Sequence, residues 1–243
     1  MPDTRLKLTI AYDGSGFRGW AAQPGLRTVE ATLRDALDTI FPSAGSLAVA
    51  GRTDTGVHAL ANVASVDVSG GPAVERAAEA LNSALPEDVA VVTAEEAAPN
   101  FHARFSARSR SYRYRVWRSR IRSPFEARRS WWHPRPLDVG RLSAQAAFLV
   151  GRHDFRAFTR TETQHKVFVR TVEDARWVRE GDVLVFEITA DSYLRHMVRT
   201  LVGTMVDGVD LAPLLEGRPR EDAGQTAPPS GLFLAGVTYD GSQ

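Results

Sequence analysis

Apolar residues recur along this chain with two different periods, and the switches between them mark its elements. Residues 6–12, Leu6-Lys7-Leu8-Thr9-Ile10-Ala11-Tyr12, alternate apolar and polar as a strand with one inward face does. Between Thr28 and Phe41 the apolar positions Val29, Leu33, Ala36, Leu37 and Ile40 form a helical stripe instead, with Thr28 placed to cap it. Residues 47–50 and 62–68 then predict strands, 72–85 a helix with Pro72 near its start, and 89–93 a strand. The order is β-α-β-β-α-β, the ferredoxin-like pattern. The second half repeats it: a strand over 112–118, a helix over 139–150, a hairpin of 171–179 and 183–190 across Glu180-Gly181-Asp182, a helix over 194–209 and a strand over 232–239. No residue-level repeat accompanies this repeated order. Residues 151–170 are irregular and polar and predict loops. The expected division is 1–105 and 106–243.

Composition bounds what such a chain does. Its 243 residues, 43% of them hydrophobic, suffice for one large or two small cores. It has no cysteine, which excludes disulfides and thiolate metal sites. No apolar run reaches the roughly 20 residues of a membrane helix, and the strand pattern begins without a leader-like segment. The expectation is a cytoplasmic protein with no membrane association. His58, His102, His133, His153, His165 and His196 are scattered without a ligand-like spacing, so no metal is expected.

The formal net charge of +1 conceals an uneven distribution. Only Lys7 and Lys166 are lysines, as a GC-rich genome would favour, but eleven arginines fall between Phe101 and Arg135 with Glu126 as the only acid there. A local cationic surface on a nearly neutral protein is an anion-binding footprint, and the planar guanidinium suits phosphate.

The densest candidate chemistry lies in Gly51-Arg52-Thr53-Asp54-Thr55-Gly56-Val57-His58. A short strand feeds this loop, and glycines near the acid allow sharp turns. The local residues leave two readings open: Asp54 as a catalytic carboxylate, or Asp54 as a turn former with Arg52 as its surface partner. Asp54-Thr55-Gly56 also spells the aspartic-protease tripeptide. That chemistry needs two carboxylates, and small dimeric proteases of the kind are all-β, whereas four helices are expected here. Gly14-Ser15-Gly16-Phe17-Arg18-Gly19 matches G-x-G-x-x-G after a strand. Pro24-Gly25 delay the helix that a dinucleotide site would open at once, so a mobile loop is expected, with Arg18 near phosphate.

Six collinear runs resemble the bacterial tRNA pseudouridine synthase A (TruA) family, which acts on the anticodon stem-loop. They are Ala11-Tyr12-Asp13-Gly14-Ser15-Gly16-Phe17-Arg18-Gly19-Trp20; Ala50-Gly51-Arg52-Thr53-Asp54-Thr55-Gly56-Val57-His58-Ala59; Leu81-Asn82-Ser83-Ala84-Leu85-Pro86; Phe101-His102-Ala103-Arg104-Phe105, running into Tyr112-Arg113-Tyr114; Tyr193-Leu194-Arg195-His196-Met197-Val198-Arg199; and Gln225-Thr226-Ala227-Pro228 with Gly231-Leu232-Phe233. They span nearly the whole chain. Ala21 and Asn62 depart from it, since the family usually has glutamine at both.

The resemblance implies an α+β fold of two ferredoxin-like (RRM-like) halves, with mainly antiparallel sheets and a central RNA-binding cleft. It implies isomerisation of uridine to pseudouridine at tRNA positions 38, 39 and 40, with no cofactor, by a homodimeric family. Asp54 becomes the catalytic carboxylate, as nucleophile or electrostatic stabiliser. Such a group must be ionised, which an adjacent cation favours; the family pattern nominates Arg199, and local spacing nominates Arg52. Tyr112 should stack on the extruded uracil, its hydroxyl taking part in proton transfer from C5. Tyr114 shares its strand face, and either tyrosine is open to a core role. Leu232 forms part of the pocket wall, while Arg108, Arg110, Arg113 and Arg115 track phosphates. The apolar strand around 183–188 is a candidate dimer surface. The competing class is a non-catalytic protein that binds structured RNA, against which the lone carboxylate argues.

Overall fold

The computed structural model describes residues 4–163 and 165–240. The reading of the first three residues therefore lies outside the described residues. The chain divides into two compact units, Met1–Arg108 with Leu234–Gln243, and Ser109–Phe233.

In the first unit, β1 (Thr4–Tyr12) buries Leu6, Leu8, Ile10 and Tyr12 on one face, as its alternation predicts. α1 (Val29–Ile40) starts where the Thr28 side chain accepts the Ala31 N–H, and it turns Val29, Leu33, Ala36 and Leu37 inward. Two short strands, β2 (Ser43–Ala44) and β3 (Ala48–Val49), pair antiparallel with β4 (His58–Ser69). α2 (Val74–Ala84) begins two residues after Pro72, and β5 (Val89–Glu96) follows it. The sheet runs β5-β1-β4, antiparallel throughout. Asn82 ties α2 to β5 through both amide atoms, donating to Val91 O (2.9 Å) and accepting from Val91 N (2.8 Å). A second small core joins Ala50, Val63, Ala103 and Tyr239, whose hydroxyl donates to Ala103 O (2.7 Å).

The second unit is built on β6 (Ala107–Trp117), β7 (Trp131–Trp132), α3 (Val139–Ala147), β8 (Gly151–Asp154), β9 (Val169–Glu180), β10 (Val183–Ala190), α4 (Met197–Val206), α5 (Leu211–Leu214) and the start of β11 (Leu232–Tyr239). Its sheet runs β6-β10-β9-β8. All of those pairs are antiparallel, and β7 lies parallel to β6. From Leu234 onward β11 belongs to the first unit.

Three expectations change here. The span expected as loops holds β8 and a 3-10 turn, Arg156–Phe158, in which Phe155 and Phe158 are fully buried. The helix expected over 194–209 is shorter: His196 adopts a left-handed φ of 66° immediately before α4, and Gly208 (φ 77°) follows its end. The strand around 183–188 is no dimer surface. β10 is an interior strand paired on both edges, with Leu184, Val185 and Phe186 fully buried.

Candidate active site

In the first unit the loop carrying Asp54 is held from both sides of that residue. Ahead of it, Asn62 Nδ2 donates to Gly51 O (2.8 Å) and to the Tyr12 hydroxyl (3.3 Å), while its Oδ1 accepts from Val63 N (2.9 Å). The Tyr12 hydroxyl also bonds Thr53 Oγ1, 2.8 Å away, and either oxygen can donate. Trp20 N donates to Thr53 O (3.0 Å). Tyr12, Thr53 and Asn62 are all buried, and burial pushes the Tyr12 phenol up to about 12, so it stays a neutral hydroxyl. Beyond Asp54, Val57 N closes a turn on Asp54 O (3.1 Å).

That turn packs directly on Gly14: a β-carbon there would lie 2.0 Å from Val57 O, so only glycine fits. Gly14 N donates to Nδ1 of the buried His58 (3.1 Å), which lies 3.2 Å from Asp13 Oδ1. The glycine-rich stretch expected as a mobile loop is therefore an anchored support, with Phe17 and Trp20 each 1% exposed. Asp54 itself is half-buried, and Arg18 and Arg52 are exposed on the same unit. Among the described residues neither arginine makes an ion pair.

In the second unit β6 presents Tyr112 and Tyr114 on one face. Tyr114 is fully buried and donates to Pro228 O (2.8 Å); burial pushes its phenol up, opposed by the nearby Arg199 charge. That is a core role. Tyr112, 9% exposed, meets the edge of Tyr193 with ring centroids 4.8 Å apart. The single Tyr193 hydroxyl proton is shared between Arg110 O (3.0 Å) and Ile188 O (3.1 Å), and desolvation holds its pKa well above the ordinary phenol value. Arg110 donates to Asp191 O (2.8 Å).

Arg199, in the first turn of α4, donates Nε–H to Ala227 O (2.8 Å), and Ala227 N donates back to Arg199 O (3.0 Å). One turn later α4 lies so close to the same segment that a β-carbon on Gly203 would stand 1.9 Å from Gln225 O. Leu232 is buried just after the turn Pro229–Gly231. The structure thus gathers Tyr112, Tyr193 and Arg110 in one cluster and Tyr114, Arg199 and Pro228 in another. Tyr12, Thr53, His58 and Tyr193 escaped assignment from sequence; all stand inside the family-like runs, but nothing in their type or spacing announces a supporting hydrogen bond.

The arginine run divides by partner. Arg108 pairs with Asp240. Arg113 pairs with Glu180 and with Glu187 (3.1 Å), and Arg115 with Glu126 (2.9 Å) and Glu180 (3.5 Å). These cations face carboxylates, so phosphate would have to displace an acid to reach them. Among the described residues no group of three or more His, Asp or Glu is arranged to hold a metal ion, and no helix is long and apolar enough to cross a membrane.

A family model described as tRNA pseudouridine synthase matches residues 8–106 and 146–240. Asp54, Arg199 and Leu232 fall within the matched segments, and Tyr112 falls between them. The chain is 41% identical over 243 residues to tRNA pseudouridine synthase A of Moorella thermoacetica, covering 96% of this chain and 99% of that one. It is 40% identical to the Methylococcus capsulatus enzyme of the same name, covering 97% and 89%, and 40% identical to that of Bacillus velezensis, covering 97% and 99%.

Proposed function

This chain belongs to the tRNA pseudouridine synthase family, and from that premise we propose that Asp54 is the catalytic carboxylate by which it isomerises uridine in the anticodon stem-loop of tRNA. The family membership makes the protein an isomerase of tRNA uridines. The finer reading assigns it positions 38, 39 and 40 and action in the cytoplasm, as a homodimer and without a cofactor.

The reaction breaks the bond from ribose C1′ to uracil N1, turns the base and forms a bond from C1′ to C5. The C5 proton departs and N1 gains one, so atoms and electrons balance without redox chemistry. The observation that carries the reading is the clamp on the Asp54 loop: backbone and side-chain bonds from Tyr12, Trp20 and Asn62 fix the residues around a carboxylate that remains half-buried. A preorganised carboxylate needs no rearrangement to act on its substrate. Arg199, held by Ala227, is the cation assigned to keep it ionised. Tyr112 is assigned to stack on the uracil, with its hydroxyl in the C5 proton transfer, and Leu232 to line the base. Arg18 and Arg52 are the exposed cations of the first unit offered to phosphate; Arg110 and Arg113 join them where RNA displaces their present partners. A ferredoxin-like first half, in turn, is supported by the placement of β3 beside β4 in the β5-β1-β4 order.

Release of tritium from C5-labelled uridine in an unmodified tRNA transcript tests the reading. Wild type should release it with no added metal or cofactor. Asp54→Asn and Asp54→Ala should lose at least about 10^3-fold in rate, the scale for a group acting in the transition state. An Asp54→Asn enzyme of near-normal rate would end the assignment. Tyr112→Phe keeps the ring, so a wild-type rate there would remove the hydroxyl from the proton transfer.

A further inference from the structure

Residues 118–130 have no part in the reading above. The segment carries Arg118, Arg120, Arg122, Arg128 and Arg129, and its one acid, Glu126, is already held by Arg115 (2.9 Å). Among the described residues Arg118, Arg120, Arg122 and Arg128 make no ion pair, unlike Arg108, Arg113 and Arg115 earlier in the same run. Arg118 Nε is buried with no acceptor. The same segment turns Ile121 (77% exposed) and Phe125 (86%) outward.

Two indoles fasten this segment. Trp117 Nε1 donates to Ile121 O (2.9 Å) and Trp132 Nε1 to Ser119 O (3.0 Å). With each N–H committed, what the rings still offer is their π faces. Between them and the segment lies a cavity of about 320 Å³, walled by Trp117, Trp131, Trp132, Arg122, Glu126 and Pro228. The Arg122 guanidinium lies over the Trp132 ring, 4.4 Å from its centroid. Trp131 meets Tyr114 edge-on (6.4 Å, 88°), and the Tyr114 hydroxyl donates to O of Pro228, which also lines the cavity.

Aromatic faces, a stacked guanidinium and cations without carboxylates are what an unpaired stretch of RNA requires. Unstacked bases lie on aromatic rings and guanidinium planes, and phosphates take the arginines. A second copy of the chain fits less well, because a twofold interface centred here would set the same cations against each other. We propose that this cavity holds one unstacked base of the tRNA, other than the uridine being isomerised, with adjacent phosphates on Arg120, Arg122 and Arg128. The proposal rests on tRNA being the substrate. The segment lies in the gap between the two stretches the family model matches, so the family match does not itself supply this site.

The test compares wild type with Arg120→Ala/Arg122→Ala/Arg128→Ala, whose side chains are exposed, and with Trp132→Leu, all checked by circular dichroism. Filter binding of an unmodified tRNA transcript is measured across a salt series, alongside KM and kcat for tritium release. The triple variant should bind at least about tenfold more weakly, with a log–log salt slope shallower by about 2. Its loss should fall on KM rather than kcat. Trp132→Leu should weaken binding about tenfold with its salt slope unchanged, since stacking releases no counterions. Unchanged affinity and slope in the triple variant would overturn the proposal. So would sedimentation showing that Phe125→Asp dissociates an oligomer while tRNA affinity holds, which would make the patch an interface between copies. The binding arm is independent of turnover: a wild type that bound tRNA yet released no tritium would refute the proposed reaction and leave this comparison decisive.

Discussion

Asn62 shows how one residue carries a site without touching its chemistry. The family-like pattern has glutamine there, and Asn62 is the shorter amide. In the fold every hydrogen-bonding direction it needs is met: Nδ2 serves Gly51 O and Tyr12, and Oδ1 serves Val63 N, with the side chain fully buried. Asn62→Gln is therefore expected to destabilise, since an added methylene overpacks a filled site by about 1–3 kcal/mol. Thermal unfolding measures it, and an unchanged midpoint would show that the site has slack. Tyr12→Phe removes the hydroxyl that bonds both Thr53 and Asn62 and should cost about 1–2 kcal/mol for the buried groups left without it. Because the clamp positions Asp54, Tyr12→Phe should also lower kcat about tenfold with little change in KM. Single-turnover rates at saturating tRNA decide that, and a shift confined to KM would place Tyr12 in binding instead.

At the scale of elements, α1 and β1 were legible because their periodicity and capping act locally. β8 and the turn after it were not: the polar residues of 151–154 pair with β9, and that pairing depends on a partner remote in sequence. The seat of α4 is a similar case. Gly203 reads as a weak helix residue, yet its missing side chain lets the helix press on Gln225 and lets Arg199 bond Ala227. Gly203→Ala should destabilise by about 1–3 kcal/mol and lower activity with it, as the Arg199 seat is pushed away. Equal melting and rate would show that the segment moves freely. Between β1 and β4, Arg5 Nε donates to Asp67 Oδ1 (2.7 Å) and holds that carboxyl below its usual range. A carboxylate depressed by folding adds stability above its ordinary pKa and loses it as pH falls through the folded value. With the side chains 26% and 42% exposed, solvent limits the gain to under about 1 kcal/mol. Asp67→Asn should melt slightly below wild type at neutral pH and together with it in strong acid.

For the molecule as a whole, the near-zero net charge is a poor guide to RNA binding. What counts is which cations lack acids. Arg113 and Arg115 are balanced within their own unit, whereas among the described residues Arg18, Arg52, Arg118, Arg120, Arg122 and Arg128 make no ion pair. Affinity for tRNA should fall steeply with salt, and Arg52→Ala should reduce the log–log slope by about 0.7–0.9 while Arg113→Ala changes it less. Equal effects would mean that RNA displaces Glu180 and Glu187.

The sequence by itself determined the kind of chain this is. Alternation and helical stripes are local consequences of burial, so β1, α1, β4, α2 and β5 of the first half could be read before any contact was known, while the short β2 could not. The six collinear runs pointed to the family and nominated Asp54, Tyr112, Arg199 and Leu232. Only the tertiary structure decided what surrounds them. It chose core for Tyr114, gave Tyr112 an edge-on partner in Tyr193, and turned a presumed mobile loop into the support under the Asp54 turn. It also paired the arginines first assigned to phosphate and left others in the same run without acids. The physical reason is common to all of these: a residue's partners come from segments far away in the chain, and neither its type nor its spacing records which donor, acid or ring the fold will bring to it.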